Sequence, residues 1–226
     1  MDYFVDENDV VLDIGCWCGP VSLYAAHLAS KVYSIDPDPV VFALLEKNVQ
    51  LNPDVESKIK CRNVAISEKN ANMVLYARSK YGEFSSSLLP RVRDNLSESV
   101  VRGITLMSFV ESEKIEKVTF IKMDVEGGEF LLLPSLCDCL EQLNFPTLYV
   151  SFHYDHLREH QYYLKIKWKF VSKLFMKLEN WFGFDFFRKR NAAIILRSIQ
   201  NLKSYRFIYD GAARRFTLLM NWWRAL

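Results

Sequence analysis

The stretch DVVLDIGCWCGPVSLYAA, residues 9–26, constrains the fold of this chain more than any other. Val10 to Ile14 form a mostly apolar run with the length of a buried strand. Gly15 and Gly19 follow, and from Val21 to Leu28 the apolar residues recur at helical spacing. A strand that passes through a glycine turn into a helix is half of a βαβ unit, the element of a parallel sheet covered on both faces. In such a sheet, ligands bind outside the carboxyl ends of the strands, where the strand order reverses. Glycine at the turn lets a nucleotide-like ligand approach the backbone, because there is no side chain in the way and positive φ is tolerated.

The same rhythm continues along the chain. Lys31–Ile35 predicts a second strand ending at Asp36, with a helix from Val40 to about Leu51 after the breaking sequence PDP. Cys61–Ile66 predicts a third strand, Val118–Met123 a fourth and Thr147–Phe152 a fifth, the last ending at His153. Residues 67–100 carry weak periodicity and are expected to be mostly loop, and Ile104–Val110 a short helix or turn. A helix is expected from the segment DVEGGE, residues 124–129, toward Leu140. A helix near 192–202 and closing strands at Arg206–Tyr209 and Phe216–Met220 complete the chain. No repeat or low-complexity linker divides it, so the expectation is one domain over 1–226 with a basic, aromatic insertion at 154–190.

The chemistry of the turn separates two cofactor classes. A dinucleotide needs GxGxxG and helix-terminal amides aimed at its pyrophosphate. Here the spacing is Gly15 then Gly19 with no glycine between, and Asp13 precedes the first glycine by two residues. A carboxylate there opposes a phosphate but suits the ammonium of S-adenosylmethionine, which also carries a sulfonium and no phosphate. Asp36, at the end of the second strand, stands where an acid accepts both ribose hydroxyls. Trp17 and its flanking cysteines are expected to floor the turn.

Composition narrows the partners. A net charge of +2 on 226 residues gives no basis for nucleic-acid binding by the whole protein. The five cysteines are odd in number, and the two close pairs, Cys16/Cys18 and Cys137/Cys139, are CxC rather than the CxxC of zinc and redox sites. No metal is therefore expected, and the opening MDYFVDEND reads as a reducing, cytoplasmic context. No run approaches the ~20 apolar residues of a spanning helix.

Together with FIKMDVEGGEFLLLPS at 120–135, the chain resembles the FkbM family of class I methyltransferases. The motifs that carry the resemblance are the DxGxxxG turn, the pair Asp36-Pro37, and KxDxEGxE in Lys122, Asp124, Glu126, Gly127 and Glu129. Further echoes are NVAIS at 63–67, SSSL at 85–88 and LYVSFH at 148–153, so that the likeness spans 9–153. The turn reads Gly15-Cys16-Trp17 where the family has GAN. The resemblance implies a Rossmann-like α/β fold with a doubly wound, mostly parallel seven-stranded sheet, helices on both faces and the last strand antiparallel. It also implies S-adenosylmethionine as cofactor and an acceptor hydroxyl on a sugar, glycan or secondary metabolite. Asp13, Gly15, Gly19 and Asp36 carry over as cofactor contacts, and Ala65 as part of the adenine pocket. The chain starts close to its first strand, without the longer leader of many such proteins, so a substrate-binding piece is expected to be missing or replaced.

Methyl transfer to a hydroxyl needs alignment and a base. Asp124 and Glu126 share one side of a two-residue period at the end of the fourth strand, and close carboxylates push one pKa upward. His153, at the end of the neighbouring strand, has an ordinary pKa of ~6.5 suited to the task. These three are the catalytic candidates, with helix capping as the structural reading of the two acids. HLREH at 156–160 matches a zinc-peptidase pattern outside its expected context and is read as a helix surface.

Residues 161–190 hold eight Lys or Arg against two acids. On a helix, Leu164, Trp168, Val171, Phe175 and Leu178 form one stripe beside a row of lysines. The segment suits a lid over the domain or peripheral contact with the inner face of a membrane. Two other functions stay open on sequence alone: a nicotinamide-dependent oxidoreductase on a similar sheet, and a non-catalytic membrane-associated module. The expected partner is a small-molecule or glycan acceptor and no nucleic acid; the absence of a DPPY or NPPY run weighs against an amino-methylating nucleic-acid enzyme. Oligomeric state is not readable.

Overall fold

A computed structural model of the chain describes residues 1–77, 86–90, 97–165, 206–210 and 216–221. Its main sheet contains β1 (Val10–Ile14), β2 (Lys31–Ile35), β3 (Ile59–Arg62), β7 (Phe120–Met123), β8 (Thr147–Phe152), β9 (Arg206–Asp210) and β10 (Phe216–Asn221), in the order β3-β2-β1-β7-β8-β10-β9. Strands β3 through β8 pair in parallel, and β10 runs antiparallel to both of its neighbours. The order reverses between β1 and β7, and their carboxyl ends mark the crevice.

The two-residue period of the strands sorts the core into two layers. Val11, Val32, Ile59 and Phe120 face α1 (Pro20–Leu28), α2 (Pro39–Gln50) and α3 (Pro53–Glu56). Leu12, Ile14, Tyr33, Ile35, Ile121 and Met123 face the opposite layer, built from α4 (Leu106–Ser112), α5 (Glu129–Ser135) and α6 (Cys137–Gln142). Helix α2 starts one residue ahead of the sequence expectation because Asp38 caps it, its Oδ1 accepting the amides of Val40 and Val41. The single helix expected after 129 is two short ones, with Pro134 inside the first and the break at Leu136.

Two expectations are corrected. The third strand divides: β3 ends at Arg62, and Ala65–Ile66 form β4, which belongs to a second sheet. That sheet contains β5 (Ala71–Ala77) and β6 (Ser97–Ile104), an antiparallel pair in the region expected to be loop. Both strands are exposed at alternate positions along their first half, but the apolar Val74 and Val100 stand at exposed positions, so hydrophobicity does not follow the two-residue burial period. The order β4-β6-β5 lays this sheet beside the crevice, where Ala65, Ile66, Met73 and Leu75 face it.

Helix α7 (Tyr154–Lys165) follows β8 directly and carries HLREH. It is no solvated surface. Leu157, Glu159, His160 and Gln161 are all buried, and the Nδ1 of His160 lies 2.9 Å from the carbonyl of Pro90. The rest of the basic, aromatic segment, including its stripe from Trp168 onward, lies outside the described residues, as does the expected helix at 192–202. Among the described residues no helix is long and apolar enough to cross a membrane.

Candidate functional site

A cavity of about 450 Å³ opens at the carboxyl ends of β1, β2 and β7 and is roofed by the second sheet. That volume suits a small-molecule ligand. Gly15, Cys16 and Trp17 form one wall, Asp36 and Asp38 one end, and Asp124, Val125 and Glu126 the other. Ala65, as the resemblance suggested, is on the apolar wall with Ile66 and Leu75.

The turn is held by the scaffold. Gly15 has φ +74°, and a Cβ there would come within 2.0 Å of the Asp124 carbonyl, so the end of β7 closes over it. Gly19 caps α1 at φ +92° but does not reach the cavity; its missing Cβ makes room for Leu45. Trp17 is not a floor: it sits at the rim, 39% exposed, with φ +51°. Cys16 is buried beneath it. Burial, with Asp13 and Asp36 nearby, pushes its thiol far above the usual range, away from the thiolate form that a nucleophile or a metal ligand needs.

Asp36 is fixed at both oxygens. Its Oδ2 accepts the amide of Trp17 at 3.0 Å and its Oδ1 the amide of Asp38 at 3.0 Å, leaving lone pairs on each oxygen for a ligand. Burial lifts its pKa to about 6, against the pull of those two amides. Next to it, Asp38 takes the Ser86 hydroxyl on its second oxygen at 3.0 Å.

Asp13 is elsewhere than its sequence position suggested. It is fully buried and does not line the cavity, so it cannot itself meet a ligand's ammonium. The strand period turns it onto the α1 face of the sheet, where Ser22 donates to its Oδ2 at 2.6 Å. The register of β1 against β7 sets Lys122 directly opposite, 3.1 Å from Oδ1. Lys122 in turn donates to the carbonyl of Gly15 at 2.9 Å. Burial opposes its charge, but Asp13 and Asp124 outweigh it and raise its pKa. Asp13 therefore shapes the turn through Lys122.

Asp124, Glu126 and His153 do come together. The Nε2 of His153 lies 3.5 Å from Asp124 Oδ1 and 3.7 Å from Glu126 Oε1. The two carboxylates line the cavity, with His153 behind them. Glu129, which opens α5, is wholly buried; its oxygens accept the amides of Val125 and Gly127, each at 2.9 Å, and its Oε1 is 3.0 Å from His153 Nδ1. Glu126 holds a left-handed φ of +54°, unusual for a residue with a side chain, and its Oε2 is 3.0 Å from Nδ1 of His156. His156 stacks on His153 with ring centroids 5.2 Å apart. Helix α7 reaches in this closely because Gly127 has no Cβ, which would sit 2.7 Å from that of His156.

Burial raises Asp124 above the usual carboxylate range; Lys122 and His153 pull it back, and Glu129 and Glu126 add to the rise. For His153, burial works against the imidazolium, but Glu129 above all, then Glu126 and Asp124, hold its pKa above the ordinary value. The functional neighbours that the motif reading left without a role are Lys122, Glu129, Ser22 and His156. Lys122 and Glu129 stand in the motif that carries the family resemblance, and His156 in HLREH, which reads on sequence as a helix surface.

Residues 13–185 match the family model of the methyltransferase FkbM domain. The chain belongs to the FkbM methyltransferase family. That membership decides for a methyltransferase over an oxidoreductase on a similar sheet. Among curated relatives, the ribosomal protein L11 methyltransferase of Ruminiclostridium cellulolyticum is 30% identical over 101 residues, covering 44% of this chain and 30% of the relative. An uncharacterized protein of Methanocaldococcus jannaschii, MJ1452, is 42% identical over 48 residues, 21% of this chain and 18% of its own length. The FkbM-family chain thus spans less than a third of either relative. Among solved structures, the methyltransferase FkbM of Methylobacillus flagellatus superposes with TM-score 0.54 at 16% identity, covering 96% of this chain and 44% of that one. SMU.1697c of Streptococcus mutans, in complex with SAH, gives TM-score 0.53 at 9% identity, covering 97% and 91%. These likenesses show a shared class I methyltransferase fold.

Proposed function

We propose that this chain transfers a methyl group from S-adenosylmethionine to a hydroxyl of a small-molecule or glycan acceptor. The observation that carries this reading is a cavity with a clamped carboxylate at one end and paired carboxylates at the other: Asp36, and Asp124 with Glu126. The wall is acidic and its buried cation, Lys122, is already engaged by Asp13 and Gly15. That suits a positively charged, phosphate-free nucleoside and disfavours a pyrophosphate.

Asp36 would hold the ribose, one hydroxyl on each oxygen, with Trp17 at the rim and Ala65, Ile66 and Leu75 against the base. Gly15 lets the backbone approach, and Asp13 keeps its carbonyl in place through Lys122. When bound, the cofactor would supply an activated methyl, its sulfur keeping the electron pair of the broken bond as the acceptor oxygen bonds to carbon. This chain aligns the acceptor and takes its proton. Asp124, with a raised pKa and on the cavity wall, is the proton acceptor; Glu126 lies beside it, and His153 positions both. Alignment supplies up to roughly 7–11 kcal/mol in ideal cases, and a placed base about 10²–10⁴-fold.

A second reading, an amine on a protein, is favoured by the match to a ribosomal protein methylase. The test is calorimetry with S-adenosylmethionine, S-adenosylhomocysteine and NAD, then incubation of labelled methyl donor with extract separated into lipid, glycan, protein, nucleic-acid and small-molecule pools. Label in the glycan or small-molecule pool is expected. Label in protein supports the second reading, and tight NAD binding with none for S-adenosylmethionine overturns both. Liposome flotation without methyl transfer to any pool would restore the non-catalytic, membrane-associated module.

A further inference from the structure

We propose that Asp124, Glu126 and His153 form a binding site for one divalent metal ion of the manganese, magnesium or zinc type. The inference rests on the proposed function only in placing these residues beside the acceptor.

Geometry leads. The three donor atoms all lie within 4.8 Å of one another. The separations from Nε2, 3.5 Å to Asp124 Oδ1 and 3.7 Å to Glu126 Oε1, fall between the values for adjacent and opposite ligands, ~3.0 and ~4.2 Å, on a cation with bonds of ~2.1 Å. They are longer than ordinary hydrogen bonds. His153 is only 7% exposed, yet its Nε2 makes no hydrogen bond, and neither does the buried Oδ1 of Asp124. Two buried polar atoms face a common point without satisfying each other. In a protein interior such atoms have a partner.

The surroundings are those of a metal ligand. A ligating histidine donates its other ring N–H to a carboxylate, which fixes its tautomer and orientation. Glu129 supplies that carboxylate at 3.0 Å, itself locked by the amides of Val125 and Gly127. A carboxylate can only accept, so Nδ1 carries a proton, and in the neutral ring the Nε2 lone pair faces Asp124 and Glu126. Without a cation, that lone pair opposes two carboxylates. The Nδ1 of His156 lies 3.0 Å from the far oxygen of Glu126 without hydrogen-bonding to it, and the His156 ring stacks on that of His153, so the third ligand is packed in place beside the other two. One nitrogen and two carboxylate oxygens suit manganese, magnesium or zinc better than a soft ion. Coordination through Oδ1 leaves the Oδ2 of Asp124, 3.9 Å from the Lys122 ammonium, for the acceptor.

The competing arrangement is an imidazolium held among three carboxylates, and metal binding separates the two. The full chain is stripped with chelator and titrated with Mn²⁺, followed by electron paramagnetic resonance, with S-adenosylhomocysteine binding measured alongside. One ion per chain is expected, with pulsed-resonance modulation from one imidazole nitrogen. Asp124→Asn and Glu126→Gln are each expected to weaken binding roughly tenfold or more. His153→Phe should abolish the nitrogen modulation, and His156→Gln should keep it. Wild-type protein that binds S-adenosylhomocysteine but takes up neither Mn²⁺, Mg²⁺ nor Zn²⁺ below ~1 mM overturns the proposal and leaves the methyltransferase reading intact. So does an ion whose modulation survives in His153→Phe. Bound Mn²⁺ with the expected modulation and no nucleoside binding upholds the metal site and overturns the proposed function. Urea unfolding of each variant separates lost ligation from a lost fold.

Discussion

Glu129 fixes His153 from behind, accepting the Nδ1 proton at 3.0 Å while its two oxygens also take the amides of Val125 and Gly127. The start of α5 and the end of β8 are joined by a charged hydrogen bond in the interior, which is stronger than its neutral counterpart. The DVEGGE segment thereby places its first two acids at the cavity and uses its last to orient the imidazole.

The His153 pKa, raised by Glu129, Glu126 and Asp124 against burial, gives chelator-treated protein a pH-dependent stability. A histidine whose folded pKa exceeds its unfolded value contributes fully below about 6.5 and loses that contribution as pH rises through the folded value. Urea unfolding followed from acid to alkaline pH should show stability declining over that window. The decline should be absent from His153→Gln.

On the proposed reading, Asp36→Ala removes the acceptor of both ribose hydroxyls. A hydrogen bond to a charged group is worth about 1.5–3 kcal/mol, so the dissociation constant for S-adenosylmethionine should rise roughly 10- to 100-fold by calorimetry. In the wild type, affinity should weaken below pH 6, because Asp36 takes up a proton near a pKa of about 6. An Asp36→Ala protein with unchanged affinity would sink the ribose assignment.

Lys122→Met leaves Asp13 charged and uncompensated where it is wholly buried. Breaking a buried pair from one side costs about 3–5 kcal/mol, which denaturant titration would read directly. Adding Asp13→Asn removes the stranded charge, and much of the loss should be recovered in the double variant.

Gly15→Ala combines a φ of +74° with a Cβ placed 2.0 Å from the Asp124 carbonyl. Neither strand can yield without losing the parallel register between β1 and β7. The variant should be destabilised by roughly 4 kcal/mol or more, beyond most single substitutions, and limited proteolysis should show it.

The alternation of apolar runs with helical periodicity made the sheet and its covering helices legible, because strand period and helix period are local signals. Position along the motif also predicted that Asp124, Glu126 and His153 would meet. What stayed hidden depended on register and on side-chain facing. Asp13 reads as a guard of the turn, but counting in twos from Val11 puts it on the α1 face, and only the pairing with Lys122 shows how it is held. The β5–β6 pair stayed hidden because apolar Val74 and Val100 occupy exposed positions, so the sequence does not alternate as the burial does. Glu159 and His160 looked solvated because a polar string hides how deeply α7 packs.

The contact between Gly15 and the carbonyl of Asp124 bears on how descendants of such a chain would diverge. This glycine is demanded by the meeting of two backbones, so lineages that abandoned catalysis would still retain it. Asp36, whose side chain accepts only the amides of Trp17 and Asp38, would be freer to drift once no ligand shared its oxygens. In judging whether a sister protein remains active, the second acid is the more telling letter.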